Sequence, residues 1–230
     1  MNFLANSITI LALVGGFMSI IFSLEHHFTF ACWAILLSVV FDGLDGQIAR
    51  RNPVPSEFGK EIDSLVDGIS FGIAPSVLGY IFIYQDFYLW ATLALLVYLI
   101  CSVIRLAKYN VTPKENLSNH FCGLPTTVSG GVLASFVLIF RRKPDVPFSN
   151  FIPAIFLFIV LLLSFLMVSR VRYLNLDGLK QLFGRRVVSV VLFVAILLIL
   201  AGYLGKAGTT LFIIFLIYLI FSPLFVRKLG

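Results

Sequence analysis

Apolar residues fill most of the chain in long runs, and polar residues gather in the short gaps between them. Counting runs of about 17–25 residues predicts eight membrane-spanning helices, over 7–24, 29–50, 57–84, 87–107, 125–141, 151–170, 187–204 and 209–226. The expected fold is an all-α, polytopic integral membrane bundle that forms one membrane domain over 1–230. Tyr80, Tyr84, Phe87, Tyr88 and Trp90 cluster where the third span turns into the fourth, as an interfacial aromatic belt would. One stretch breaks the pattern. Asp42, Asp45, Asp63 and Asp67 stand where the second span ends and the third begins, with apolar sequence running up to them and away from them.

A carboxylate at the centre of a membrane helix costs about 2.5–3.5 kcal/mol. Four together cost on the order of 10 kcal/mol by the same scale, before their mutual repulsion. Asp42, Asp45 and Ala49 stand at i, i+3 and i+7, on one helical stripe, and Asp63 and Asp67 at i and i+4 on another. Gly46 beside Asp45 and Gly59 one turn before Asp63 leave room for close approach of backbone or ligand. Arg50, Arg51 and Lys60 are too few and too near the helix ends to balance the acids, so divalent cations are the better counter-charge. Asp-Gly pairs are also turn signals, and the competing reading places the acids in a solvated loop after Phe41. Against it, the apolar phase continues through Leu44 and Ile48.

Composition supports the membrane assignment and narrows the partners. Of 230 residues 60% are apolar and 12% charged, with a mean hydropathy of +1.02, which a soluble domain of this size does not need. The net charge of +6 fits loop anchoring and anionic lipid rather than nucleic acid. Cys32, Cys101 and Cys122 show no paired spacing and read as reduced thiols. No basic stretch or small-residue cleavage site marks the N-terminus, so the first apolar segment reads as a retained span. With both termini cytoplasmic, most basic residues, from Arg50 and Lys60 through Arg105 and Lys108 to Arg185 and Arg227, fall inside. Arg141-Arg142-Lys143 argues the other way. The expectation is a cytoplasmic-membrane protein whose acidic motif faces the cytoplasm.

Residues 42–67 read D-x2-D-G-x2-A-R-x8-G-x3-D-x3-D, and this pattern resembles the signature of the CDP-alcohol phosphotransferases at every fixed position. The resemblance implies an integral membrane enzyme that moves a phosphatidyl-type group from a CDP-lipid, CDP-diacylglycerol or CDP-archaeol, to an alcohol and releases CMP. It implies a six-helix catalytic core over 1–172, with two additional spans over 173–230 that look like scaffold. Asp42, Asp45, Asp63 and Asp67 would hold Mg2+ or Mn2+, two ions by analogy, and Asp67 would also deprotonate the acceptor hydroxyl. Gly46, Ala49 and Arg50 would line the nucleotide. Asn6 and Thr9, an Asn-x-x-Thr similar to one near the family's nucleotide site, would touch the donor headgroup; they equally suit an N-cap.

Further groups surround the motif. Pro53 and Pro55 end the second helix, and Ser56 with Glu57 reads as the next N-cap. A helix start at Ser56–Gly59 offers N–H groups to a diphosphate. Gly68, Gly72 and Gly79 form a small-residue stripe for helix packing or for a homodimer face. Arg105-Leu-Ala-Lys108-Tyr109-Asn110, followed by Phe121-Cys-Gly123-Leu124-Pro125, resembles the phosphatidylserine synthase branch, with Lys108 and Tyr109 departing from its common Arg and Phe. On that reading the acceptor is L-serine, its carboxylate held by Arg105 and Lys108 and its ammonium by Asn110. Plain topology anchoring is the competing account of these basic residues. The segment 170–186 mixes basic and apolar residues, as a connection lying on a lipid surface would. Two rival functions remain: the same chemistry with glycerol 3-phosphate or an inositol phosphate, and a divalent-metal transporter with acids along its path.

Overall fold

The computed structural model describes residues 3–50, 57–112, 120–141, 151–174 and 206–229. Seven α-helices follow in order: α1 (Phe3–Leu24), α2 (Phe28–Arg50), α3 (Glu57–Asp67), α4 (Ala74–Val111), α5 (Thr126–Phe140), α6 (Ile152–Val168) and α7 (Ala207–Leu229). A π-helical turn, Gly68–Ile73, joins α3 to α4. Two short strands, β1 (His120–Cys122) and β2 (Arg172–Leu174), pair antiparallel with Phe121 opposite Tyr173. Among the described residues five segments are long and apolar enough to cross a membrane: Asn6–Leu24, Phe28–Ile48, Glu57–Tyr84, Phe87–Val111 and Ala207–Val226. Thr126–Phe140 and Ile152–Val168 are shorter apolar helices. The predicted span over 187–204 lies outside the described residues. The exposed side of the bundle is apolar, with Phe17, Phe30, Leu37, Trp90, Phe158 and Phe165 turned outward, as a lipid solvent requires.

Helix ends follow local chemistry. α1 closes with His26 in the left-handed region (φ 59). The His27 N–H reaches the Phe22 carbonyl at 2.8 Å and the His26 N–H that of Ser23 at 3.0 Å, the paired bonds of a Schellman cap. α4 breaks direction at Phe87 (φ −145°, ψ 55°), within the predicted aromatic belt, so it contributes two arms to the bundle. The π turn precedes Pro75, which has no N–H to offer the Phe71 carbonyl. The buried Tyr98 hydroxyl donates to that carbonyl at 2.9 Å instead.

The helices approach closely because small residues line their contacts. The Ser38 and Ser70 hydroxyls, from α2 and from the π turn, both donate to the Ala12 carbonyl of α1, at 2.9 and 3.0 Å. A Cβ on Gly16 would lie 2.7 Å from the Ser70 Cα, and one on Gly72 would lie 2.7 Å from the Ser102 Oγ. Gly79 meets the Phe156 ring of α6. Gly72 and Gly79 of the glycine stripe are therefore spent on packing inside one chain. The far half of the core is aromatic: Phe136 lies 5.4 Å from Phe156 and 5.9 Å from Phe212, so α5 is sandwiched between α6 and α7.

Gly16→Val should force α1 away from the π turn. Overpacking of this kind costs about 1–3 kcal/mol, so thermal unfolding in detergent should come several degrees lower than in the parent. Gly43→Ala, where an added Cβ meets nothing within 4 Å, should leave the unfolding temperature unchanged.

Candidate active site

The end of α2, one face of α3, the end of α4 and the start of α5 meet at one face of the bundle. Between them lies a cavity of about 340 Å³, lined by Asp42, Asp45, Asp63 and Asp67 together with Lys60, Arg105 and Tyr109. Carboxylate oxygens of Asp42, Asp63 and Asp67 lie within 4.8 Å of one another. The predicted stripes are present, since Asp42 and Asp45 face the cavity from α2, and Asp63 and Asp67 from α3. Asp45 stands beside the three rather than among them. It is 3% exposed and hydrogen-bonded with Thr9 of α1, while its Oδ2 has no partner among the described residues.

This arrangement fits a divalent cation. Three acids within 4.8 Å repel one another strongly in a weakly polarisable setting, and a buried carboxylate oxygen without a donor costs about 1–3 kcal/mol. Hard divalent cations take carboxylate oxygens as ligands. Asp42, Asp63 and Asp67 form the group that would hold one, with the orphaned Asp45 oxygen adjacent.

Arg105 enters the cavity that the acids line. It is 7% exposed and interacts electrostatically with Asp67 and Asp42. Its Nη1 donates to the Thr126 Oγ1 at 3.1 Å, its guanidinium sits 5.4 Å from the Tyr109 ring centre, and its Nε has no partner among the described residues. Lys60 is differently used: its Nζ donates to the Asn110 carbonyl at 2.7 Å. The Asn110 amide meets the Ser64 hydroxyl, with Nδ2 at 2.8 Å. These contacts tie the start of α3 to the end of α4.

Other predicted site residues are placed less uniformly. Gly46 lines the cavity. Thr9 is buried against Asp45, and Asn6 is half-buried one turn earlier on α1, outside the cavity lining. Gly59 is half-buried on α3. Ala49 and Arg50 end α2, their side chains not described, and Ser56 lies outside the described residues. Lys108 is exposed and does not line the cavity that Arg105 enters. Three residues apart on a helix is about 300° of rotation, so sharing a face with Arg105 did not bring Lys108 into the same pocket.

Sequence reasoning missed Ser64, Leu174 and Tyr218, which also line the cavity. Tyr218 comes from a span expected to be scaffold, and Leu174 from the segment expected to lie on a lipid surface. The signal was a hydroxyl pair four residues apart, Tyr218 and Ser222, on one stripe of an apolar helix. The Tyr218 hydroxyl donates to the Leu174 carbonyl at 2.8 Å, and the Leu174 N–H donates to the Ser222 Oγ at 2.6 Å. The Tyr173 and Tyr218 rings stack at 6.1 Å, and burial pushes the Tyr173 phenol up from its ordinary pKa.

Residues 2–171 match the family profile described as CDP-alcohol phosphatidyltransferase. The chain is 33% identical over 165 residues to a CDP-diacylglycerol–serine O-phosphatidyltransferase of Helicobacter pylori, covering 72% of this chain and 69% of that protein. It is 35% identical over 166 residues to an archaetidylserine synthase of Methanothermobacter thermautotrophicus, covering 71% and 66% respectively. It is 37% identical over 131 residues to a Mycobacterium leprae protein with the same name as the first, covering 54% and 43%.

Like-charge repulsion sets the sign of a prediction about Asp63. Without divalent metal, Asp63→Asn should unfold at a higher temperature than the parent, because one of three crowded charges is gone. Adding Mn2+ should raise the parent's unfolding temperature by mass action and leave Asp63→Asn nearly unmoved. Equal Mn2+ shifts in both proteins would remove the acids from metal binding.

Proposed function

Because the chain belongs to the CDP-alcohol phosphatidyltransferase family, we propose that it transfers the phosphatidyl-type group of a CDP-lipid to the hydroxyl of L-serine and releases CMP. The observation that carries the choice of acceptor is Arg105. It is a buried guanidinium with an unpartnered Nε, standing at the cavity beside Asp67. A planar guanidinium recognises a carboxylate through directed hydrogen bonds that an ammonium cannot reproduce. Two relatives named for serine or archaetidylserine support the same reading.

In this account Asp42, Asp45, Asp63 and Asp67 hold divalent cations, Mg2+ or Mn2+. The bound metal supplies charge neutralisation for the diphosphate and for the departing oxygen. Asp67, hydrogen-bonded with Asp42 and lining the same cavity as Arg105, takes the proton of the acceptor hydroxyl. The freed oxygen forms a bond to the lipid-linked phosphorus. The bond from that phosphorus to the bridging oxygen breaks, and CMP leaves with the electron pair. Arg105 orients the serine carboxylate, and Asn110, held by Ser64, accepts from the ammonium. Gly46, Ala49 and Arg50 at the end of α2, Ser56 and Gly59 around the start of α3, and Asn6 and Thr9 on α1 form the donor side. Lys108, exposed, attracts acidic lipid or substrate without touching the acceptor.

The same account has eight spans, with residues 1–172 as catalytic core and the site facing the cytoplasm. β2 ends at the site face, whereas the start of α7 packs against Leu138 and Ile139 at the opposite end of α5. A homodimer would need a surface other than Gly72 and Gly79. A phosphorylated acceptor is less favoured, because Lys60 is already engaged with the Asn110 carbonyl. A transport path is less favoured because the acids gather at one end of the bundle.

Purified protein in detergent should release CMP from CDP-diacylglycerol when L-serine and Mg2+ or Mn2+ are present. It should stop on chelation by EDTA. Asp67→Asn should lose at least about a hundredfold in kcat, the usual worth of a positioned base, while retaining CDP-lipid binding. Faster turnover with glycerol 3-phosphate or an inositol phosphate, as kcat/KM, would overturn the serine assignment.

A further inference from the structure

The family match ends at residue 171, yet Leu174 and Tyr218 form part of the cavity wall. They do so through a continuous set of bonds. On α7, Tyr218 and Ser222 stand one turn apart and hold both backbone groups of Leu174, the carbonyl at 2.8 Å and the N–H at 2.6 Å. Leu174 belongs to β2, which pairs residue by residue with His120–Cys122 of β1. β1 runs on through Gly123, whose φ of +83° and close approach to the Met167 carbonyl leave no space for a Cβ. The Gly123 N–H donates to the Val171 carbonyl at 2.8 Å, and the Leu124 N–H to that of Leu166 at 3.1 Å. Two residues later Thr126 accepts the hydrogen bond from Arg105.

Arg105 therefore has its Nη1 anchored by a segment whose other side is clamped by α7. We propose that Tyr218 is a positioning residue of the acceptor subsite. By fixing Leu174 it sets the β ladder and Thr126, and so presents the free Nε edge of Arg105 to the acid group of an amino-acid alcohol. This rests on the acceptor reading given above. It moves α7 from scaffold to a working wall of the site, in a region that the family's shared stretch does not reach. Tyr218 needs no contact with the reacting atoms to act in this way.

The test is a double-mutant cycle on the full-length enzyme in detergent, with saturating CDP-diacylglycerol and varied L-serine. Tyr218→Phe keeps the ring that stacks on Tyr173 and loses the hydroxyl that bonds Leu174 and meets Ser222. It should raise the serine KM roughly 3- to 10-fold, the worth of one hydrogen bond, with the CDP-diacylglycerol KM within about twofold of the parent by the same reasoning. In an Arg105→Lys background the further effect of Tyr218→Phe should shrink toward none, because the two act as one unit. An equal rise in both KM values with a lowered unfolding temperature would mean a merely structural role and overturn the proposal. So would the full Tyr218→Phe effect persisting in Arg105→Lys, or no effect at all. If the parent does not use L-serine, the acceptor reading fails separately. The cycle is then run with the alcohol the parent uses best, and the same outcomes decide the role of Tyr218.

Discussion

Three carboxylates converging within 4.8 Å, inside a bundle whose outer surface is made for lipid, are the constraint that the rest of the structure answers. Left alone they would drive α2 and α3 apart. The fold opposes this by anchoring both helices to α1. Ser38 of α2 and Ser70 of the π turn share the Ala12 carbonyl, and Thr9, one turn earlier on α1, bonds Asp45. One helix without an acid thus holds the two acid-bearing segments in register. Arg105 offsets part of the remaining charge, and divalent cations held by the acid set would offset the rest. A site built this way gives up stability so that charge can be neutralised on binding, an expected pattern for groups that act on a diphosphate.

The π turn at Gly68–Ile73 lets the two demands on this segment be met separately. Wide turns of this kind recur at functional sites because they shift the helical stripe by a residue. Before it, Asp63 and Asp67 face the cavity. Within it and just after, Phe71, Gly72 and Ala74 are buried, Phe71 against Gly130 of α5 and Gly72 against Ser102 of α4. Two of its carbonyls accept side-chain hydroxyls, that of Phe71 from Tyr98 and that of Gly72 from Ser76. Tyr98 in turn meets Ser129 at 3.0 Å, so the turn is also bound to the helix that begins with Thr126.

Much of this was legible in the sequence because membrane helices and charged interruptions leave strong one-dimensional signals. The spans over 29–50 and 209–226 fall within α2 and α7, and the i, i+3 and i, i+4 spacing of the aspartates does bring both pairs to one cavity. What escaped depended on contacts between distant segments. Nothing local to Arg172–Leu174 announces a strand, because its pairing partner is fifty residues away and its other edge is met by side chains of α7. Tyr218 read as one more aromatic in an apolar run for the same reason. Lys108 was grouped with Arg105 by spacing, but helix rotation sends one into the pocket and leaves the other exposed. The three-plus-one arrangement of the acids was equally hidden, since spacing gives a stripe and not the distance between stripes.

The central claim is that these aspartates hold a divalent cation against the donor's diphosphate. Mn2+ broadens the phosphorus resonance of a nearby phosphate, so 31P NMR of CDP-diacylglycerol bound to the purified protein reads that proximity directly. The account predicts that substoichiometric Mn2+ broadens both diphosphate resonances in the parent protein and leaves them sharp in Asp63→Asn at equal donor occupancy. Equal broadening in the two proteins would contradict it, because the metal would then be carried by the nucleotide alone and the acidic cluster would have another purpose.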